Sequence, residues 1–180
     1  MPKAVFVDRD GVLNRALVRN GKLVPPASVD ELELLPGVAE ACVALRAAGF
    51  LLIVVTNQPD VARGTQNRQT VAAIHEVIRG KVPLDDVRVC FHDDADGCEC
   101  RKPKPGLLLE AAKDWDIDIR HSFLVGDRWK DIEAARNAGC RAVQVENGHP
   151  EKEDAWASPD LRVRSLKEAA DWILRAESHP

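Results

Sequence analysis

No apolar run in this 180-residue chain approaches the roughly 20 residues needed to cross a bilayer, so a membrane-spanning helix is not expected. A surplus of positive charge is also missing. The 25 Lys and Arg are outnumbered by 29 Asp and Glu, giving a net charge of -4. A general nucleic-acid binder needs basic surface to neutralise phosphates, so this balance argues against nucleic acid as a partner. There is no internal repeat, low-complexity segment or second-domain boundary, and the expectation is one domain spanning 1–180. Met1-Pro2-Lys3 runs straight into a short apolar stretch, not a long apolar leader. A monomeric, cytoplasmic protein without a membrane partner is therefore expected. Cysteine is scarce and odd in number: there are 5, and three of them crowd between Cys90 and Cys100. In a reducing compartment such crowding favours a metal over disulfides.

What is present is a mixed-charge chain, 45% hydrophobic, long enough to bury a core. Ala4-Val5-Phe6-Val7 is a short apolar run that ends abruptly at Asp8-Arg9-Asp10-Gly11. It reads as a buried strand broken by glycine. Asn20-Gly21 is a hairpin signal between Leu17-Val18 and Lys22-Leu23-Val24, and predicts a small β-flap. A helix is expected from Pro36-Gly37 to about Ala48, with Gly49 placed to end it. Leu51 to Thr56 is a continuous β-branched run of the kind buried on both faces of a parallel sheet.

Further helices are expected over about 67–79, 106–115 and 130–138, and further strands over 87–91, 122–127 and 142–145. The stretch from Glu146 to Asp160 reads as loop, and Ser165 with Glu168 forms a capping box for a last helix. Strands alternate with helices throughout. The predicted fold is α/β: a Rossmann-like parallel sheet with helices on both faces.

Five stretches carry the chemistry. Asp8 and Asp10 would stand at the carboxyl end of a strand, where open α/β sheets bind ligands; one acid there can attack and the other can shuttle a proton. A solvated acidic turn is the plainer reading. Thr56-Asn57-Gln58 ends another strand, where a hydroxyl and backbone amides can hold phosphate oxygens, or simply form a polar corner. Cys90-x-His92 and Cys98-x-Cys100 place four thiol or imidazole ligands within eleven positions. That set suits tetrahedral zinc, structural because four protein ligands leave no position for water; free buried thiols are the alternative.

The fourth stretch is Arg101-Lys102-Pro103-Lys104-Pro105-Gly106, a cationic segment ahead of a helix start. It suits an anionic ligand or forms a solvated basic turn. The fifth is Gly126-Asp127, another strand ending in acid. Asp127 could merely cap the next helix. Brought beside Asp8 on one sheet edge, it would repel that carboxylate unless a cation lay between them. Oxygen-only ligands and a phosphate substrate point to Mg²⁺.

In this order, Asp8-x-Asp10-Gly-Val, strand-Thr56-Asn, Lys102-Pro and Gly126-Asp127-x-x-x-Asp131 resemble the four motifs of the haloacid dehalogenase-like hydrolases. Asp8-Arg9-Asp10-Gly11-x-x-Asn14, Thr56-Asn57-Gln58 with Ala62-Arg63-Gly64, and the Cys-x-His…Cys-x-Cys-Arg-Lys-Pro block narrow the resemblance to one branch. That branch holds the heptose 1,7-bisphosphate and histidinol-phosphate phosphatases. The resemblance implies a sugar-phosphate phosphatase of carbohydrate metabolism without a large cap domain. The bisphosphate, losing its 7-phosphate, is the leading substrate and histidinol phosphate the runner-up. A zinc-containing binding module without catalysis is the reading from a different class.

By position, the resemblance makes Asp8 the nucleophile and Asp10 the general acid and base. Thr56 would hold phosphoryl oxygen and Lys102 would neutralise charge. Mg²⁺ would be held by Asp8, the backbone carbonyl of Asp10 and Asp127, with Asp131 supporting its water shell. Asn57, Gln58, Arg101 and Arg128 would face the substrate, and Cys90, His92, Cys98 and Cys100 would hold Zn²⁺. Three departures from the branch stand out: Arg128 replaces a usual lysine, Pro59-Asp60 a usual Ser-Gly, and Asp93-Asp94 follow His92 in place of proline.

Overall fold

A computed structural model describes residues 1–147 and 157–178. Six parallel strands form the main sheet: β1 (Ala4–Val7), β4 (Leu51–Asn57), β5 (Asp86–Cys90), β6 (Phe123–Gly126), β7 (Arg141–Val145) and β8 (Leu161–Val163). Their spatial order is β5-β4-β1-β6-β7-β8. The first strand thus lies at the centre, and the chain winds outward from it in both directions. The crevice beside β1 is the switch point where such sheets bind ligands.

Alternation along β1 divides the core. Val5 and Val7 face one layer, with α1 (Val38–Ala47), α2 (Arg68–Arg79) and α5 (Leu166–Ser178). Ala4 and Phe6 face the other, with α3 (Gly106–Asp114) and α4 (Trp129–Ala138). Every residue of β1 and β6 is buried, as strands covered on both faces must be. Both helix layers of the predicted fold are therefore present.

The flap is present as well: β2 (Leu17–Arg19) pairs antiparallel with β3 (Lys22–Val24). Asn20 and Gly21 both take positive φ, 51° and 72°, which the tight turn between twisted strands requires. Apart from this flap, no domain is inserted among the described residues, in keeping with the expectation of no large cap.

Helix boundaries fall within a residue or so of those expected. The Asn67 side chain accepts the Thr70 N–H at the start of α2, and Gly139 ends α4 with φ 84°. The capping box at α5 is shifted by one residue. Ser165 accepts the Glu168 N–H at 3.2 Å, but Glu168 reaches back to the N–H of Arg164, at 2.9 Å. The sequence did not announce β8: three residues are too few to show a period, and the strand exists because it pairs with β7 from Val143↔Leu161 onward. It begins just after the expected loop, Glu146 to Asp160, of which 148–156 lies outside the described residues. No helix of the described residues is long and apolar enough to cross a membrane.

Candidate active site and metal clusters

Strand register brings the acidic ends together. Val7 lies level with Val54 of β4 and with Val125 of β6. Asp8 follows directly, its N–H donating to the Val125 carbonyl at 2.9 Å, while Thr56 and Asp127 emerge within two positions on either side. After Asp8 the chain turns sharply. The Arg9 carbonyl accepts from Leu13 and Asn14, and Gly11 adopts φ +89°. A Cβ on Gly11 would come within 2.3 Å of Asp127 Oδ2, so only glycine lets the turn lie against that carboxylate.

Lys102 is the charge at the centre of the cluster and is itself buried. Its ammonium donates to the Val55 carbonyl at 2.8 Å, meets Asp8 Oδ1 at 3.0 Å, and pairs with Asp131. Burial alone would lower its pKa, but the adjoining Asp131 and Asp8 outweigh that and hold it above the ordinary lysine value. The Asn57 amide clasps the Lys102 backbone in both directions, at 3.1 Å each way. This clasp fixes the cationic segment against the end of β4.

Asp8 is raised to about 6, by burial first; Lys102 opposes the shift, and Asp131 and Asp10 add to it. Asp127 is pushed up to about 8 by burial and by the neighbouring Asp8 and Asp131 carboxylates. One lysine thus faces more negative charge than it can balance. Carboxylate oxygens of Asp8, Asp127 and Asp131 lie within 4.8 Å of one another. Asp127 Oδ1 is buried without a hydrogen-bond partner, while Oδ2 accepts from Asn147 at 2.7 Å. An orphaned buried oxygen in an all-oxygen cluster is what a hard divalent cation would satisfy. Both Asp131 oxygens are already engaged, by Lys102 and by the Arg128 N–H at 3.1 Å.

The second cluster joins Cys90 at the end of β5 to the loop that follows. Cys90, His92, Cys98 and Cys100 place their ligand atoms within 4.8 Å of one another. Contacts among them run from 3.1 Å for Cys100–Cys90 to 3.7 Å for Cys90–Cys98 and Cys90–His92. A tetrahedron of zinc–sulfur bonds has edges of about 3.8 Å, so sulfur, nitrogen and spacing all fit zinc. Cys42 and Cys140 lie in the two core layers, apart from this group.

The N–H at the helix start, on Gly106, is not open to an anion; the cationic segment's part in the cavity comes from the Arg101 and Lys102 side chains. The Gly106 N–H donates to the Glu99 carbonyl at 3.2 Å, and a Cβ there would meet the Glu99 oxygen at 2.3 Å. The loop carrying the thiols is packed onto the first turn of α3.

A cavity of about 270 Å³ opens over the cluster. Its floor has Asp8, Asp10, Thr56, Asn57, Lys102 and Asp131; Lys22, Arg63, Arg101, Arg128 and Lys130 supply cations around it, and the flap contributes Leu23, Val24 and Pro25. Gln58 lies beneath this surface, donating to Asp10 at 2.8 Å and to Thr56 Oγ1 at 2.9 Å. Several cavity cations are held by the acidic pair that departs from the branch pattern. Arg63 grips Asp93 through two bonds of 2.7 Å, and Arg101 donates to Asp94 at 2.7 Å. Residues to which the motifs gave no role also join the site: Arg9 and Asn14, quoted only as motif letters, and His75 and Asn147. Asn14 belongs to the Asp8–Asn14 motif and was findable; His75 and Asn147 carry no sequence signal, since only folding brings them near.

A family model described as HAD-hydrolase-like matches residues 99–169. A D-glycero-beta-D-manno-heptose-1,7-bisphosphate 7-phosphatase of Pasteurella multocida is 38% identical, covering 99% of this chain and 100% of its own. One of Rhodopseudomonas palustris is 39% identical over 79% of this chain and 83% of its own. Among solved structures, the D,D-heptose 1,7-bisphosphate phosphatase of B. bronchiseptica, complexed with magnesium and phosphate, superposes with a TM-score of 0.84. It is 31% identical and covers 97% of this chain and 99% of its own.

Proposed function

The chain belongs to the heptose-1,7-bisphosphate 7-phosphatases of the HAD-like hydrolases, and from that premise we propose that it is a Mg²⁺-dependent phosphatase releasing the 7-phosphate of D-glycero-β-D-manno-heptose 1,7-bisphosphate. One observation carries the reading: a floor built for a single phosphoryl group lies beneath a separate set of cations, Arg101, Arg128, Lys130, Arg63 and Lys22. A second phosphate of the same substrate needs such charge at a distance from the first.

Asp8 attacks phosphorus through one carboxylate oxygen while Lys102 restrains the other, Oδ1. The bond from phosphorus to the sugar oxygen breaks, and Asp10 gives that oxygen its proton. Asp10 then takes a proton from water, which attacks the aspartyl-phosphate and returns Asp8 as a carboxylate. The Thr56 hydroxyl already accepts from Gln58, so its own hydrogen is left to donate to a phosphoryl oxygen. Asp8, Asp127 and the backbone carbonyl of Asp10 would hold Mg²⁺, which supplies charge neutralisation for the transferring group. Cys90, His92, Cys98 and Cys100 would hold a closed, structural Zn²⁺. Residues 1–180 act as one catalytic unit.

The test is phosphate release from both heptose bisphosphate anomers, histidinol phosphate and common sugar phosphates, with Mg²⁺ and with EDTA. Mg²⁺-dependent preference for the β-heptose substrate is expected, and Asp8→Asn should lower turnover by at least about 10³-fold with the fold intact. Preference for histidinol phosphate would overturn the substrate, and substantial activity in Asp8→Asn would overturn the nucleophile.

A further inference from the structure

Asp10 accepts four hydrogen bonds. Its Oδ1 takes Arg9 Nε at 3.1 Å and Asn14 Nδ2 at 3.0 Å; its Oδ2 takes Arg9 Nη2 at 2.9 Å and Gln58 Nε2 at 2.8 Å. The Arg9 fork sets the plane of the carboxyl group, because two parallel bonds leave it no freedom to rotate. Arg9 is wholly buried, at 0% exposure, and its remaining edge is turned away from Asp10. There Nη1 meets Nε2 of His75, on α2, at 3.1 Å.

A guanidinium can only donate, so the facing histidine nitrogen must accept, and the ring must be neutral with its proton on Nδ1. Burial and the Arg9 charge lower the His75 pKa to about 4, which keeps it so. An aliphatic residue at position 9 would bury as well and avoid the cost of a desolvated charge. It would not orient an acid. A helix side chain outside the cavity lining is thus connected through one arginine to a carboxyl group at the cavity floor.

We propose that His75 and Arg9 form a positioning relay for Asp10: the Arg9 fork keeps the plane of the carboxyl group, while the proton that Asp10 delivers to the departing sugar oxygen takes the place of one of the two amide donors, Asn14 or Gln58. The proposal rests on the reading of Asp10 as general acid. Neither His75 nor Arg9 touches the reacting atoms; both act through Asp10. Without an acceptor at position 75, Nη1 is left buried and unpaired, and the guanidinium is free to swing. Lysine at position 9 supplies charge without a fork.

The test compares kcat/KM for two substrates that differ in their need for a proton. The sugar oxygen of heptose 1,7-bisphosphate must be protonated as it leaves; the phenolate of 4-nitrophenyl phosphate leaves without one. A general acid contributes about 10²–10⁴-fold, so Asp10→Asn should cut the sugar substrate by at least about 10²-fold more than the aryl one. His75→Phe and Arg9→Lys should show the same selectivity at about 10-fold or more, a part of that general-acid contribution, and His75→Gln, whose amide oxygen can accept from Arg9, should recover most of it. Thermal melting identifies any variant that does not fold, and Arg9→Lys and His75→Gln keep the comparison open if His75→Phe fails. Equal losses on both substrates in folded variants, beside normal selectivity in Asp10→Asn, would overturn the relay alone. No selectivity in Asp10→Asn would remove the general-acid assignment, and the relay with it.

Discussion

Gly126 shows how one missing side chain arranges two present ones. A Cβ at that position would stand 2.2 Å from the Cβ of Asp131 and 2.5 Å from its Oδ2. The last residue of β6 must be bare for α4 to bring Asp131 under Lys102. Gly126→Ala should therefore push Asp131 off the Lys102 ammonium and cost about 1–3 kcal/mol through overpacking. Urea unfolding checks the stability, and the Mg²⁺ concentration for half-maximal activity should rise in the same variant. An alanine variant as stable and as active as the parent would mean α4 can retreat without consequence. Asp8, Asp10, Thr56, Lys102 and Asp127 were legible one by one, because each ends a strand or follows a fixed motif. Arg9 was visible only as a motif letter. Its burial, its fork onto Asp10 and its contact with His75 depend on a helix that starts about sixty residues later.

Among elements, the thiol-bearing loop has the widest reach. It begins at the end of β5, packs on the start of α3 through Gly106, and sends Asp93 and Asp94 to Arg63, Arg101 and Lys130. These are solvent-screened ion pairs, so they orient the cavity cations more than they stabilise the fold. Cys90, His92, Cys98 and Cys100, which could hold a metal ion, stand at the root and within this loop. Cys98→Ser should lower bound zinc from about one per chain to well below half, as a four-ligand site loses a thiolate. With the loop released, KM for the bisphosphate should rise by about 10-fold, the loss of about one well-placed charged contact, while 4-nitrophenyl phosphate turnover changes much less. Metal analysis together with the two KM values decides the matter; unchanged zinc would reject the four-ligand site. The cysteine spacing made this loop readable in advance. The short strand β8 was not readable, since three residues show no period and only the β7 edge makes them a strand.

For the whole molecule, burying His75 links stability to pH. Its folded-state pKa is about 4 against 6.5 for a free histidine. A depressed histidine binds fewer protons in the folded chain than in the unfolded one. Its contribution is therefore complete above about pH 6.5 and is lost as pH falls toward 4, amounting to up to about 3 kcal/mol. Asp8 and Asp127, with raised values, work in the opposite direction, so the overall pH profile mixes signs. Comparison with His75→Gln isolates the histidine. Between pH 7 and pH 5 the parent should lose more unfolding free energy than the variant, and parallel losses would mean that His75 is solvated or charged in the folded chain.

The alternation of strands and helices, the flap turn at Asn20-Gly21, the acidic strand ends and the close spacing of Cys90, His92, Cys98 and Cys100 could be read along the chain. These are local properties: periodicity, backbone freedom and spacing act over a few residues. Tertiary structure alone decided which strand ends meet, how Lys102 is shared between Asp8 and Asp131, and which cavity cations Asp93 and Asp94 hold. It also decided that Asn147 supports Asp127 and that His75 stands behind Arg9. These are contacts between residues distant along the chain, fixed by sheet order and by the packing of helices on its faces. A side chain's partners in a desolvated interior depend on that packing, and neither composition nor spacing encodes it residue by residue.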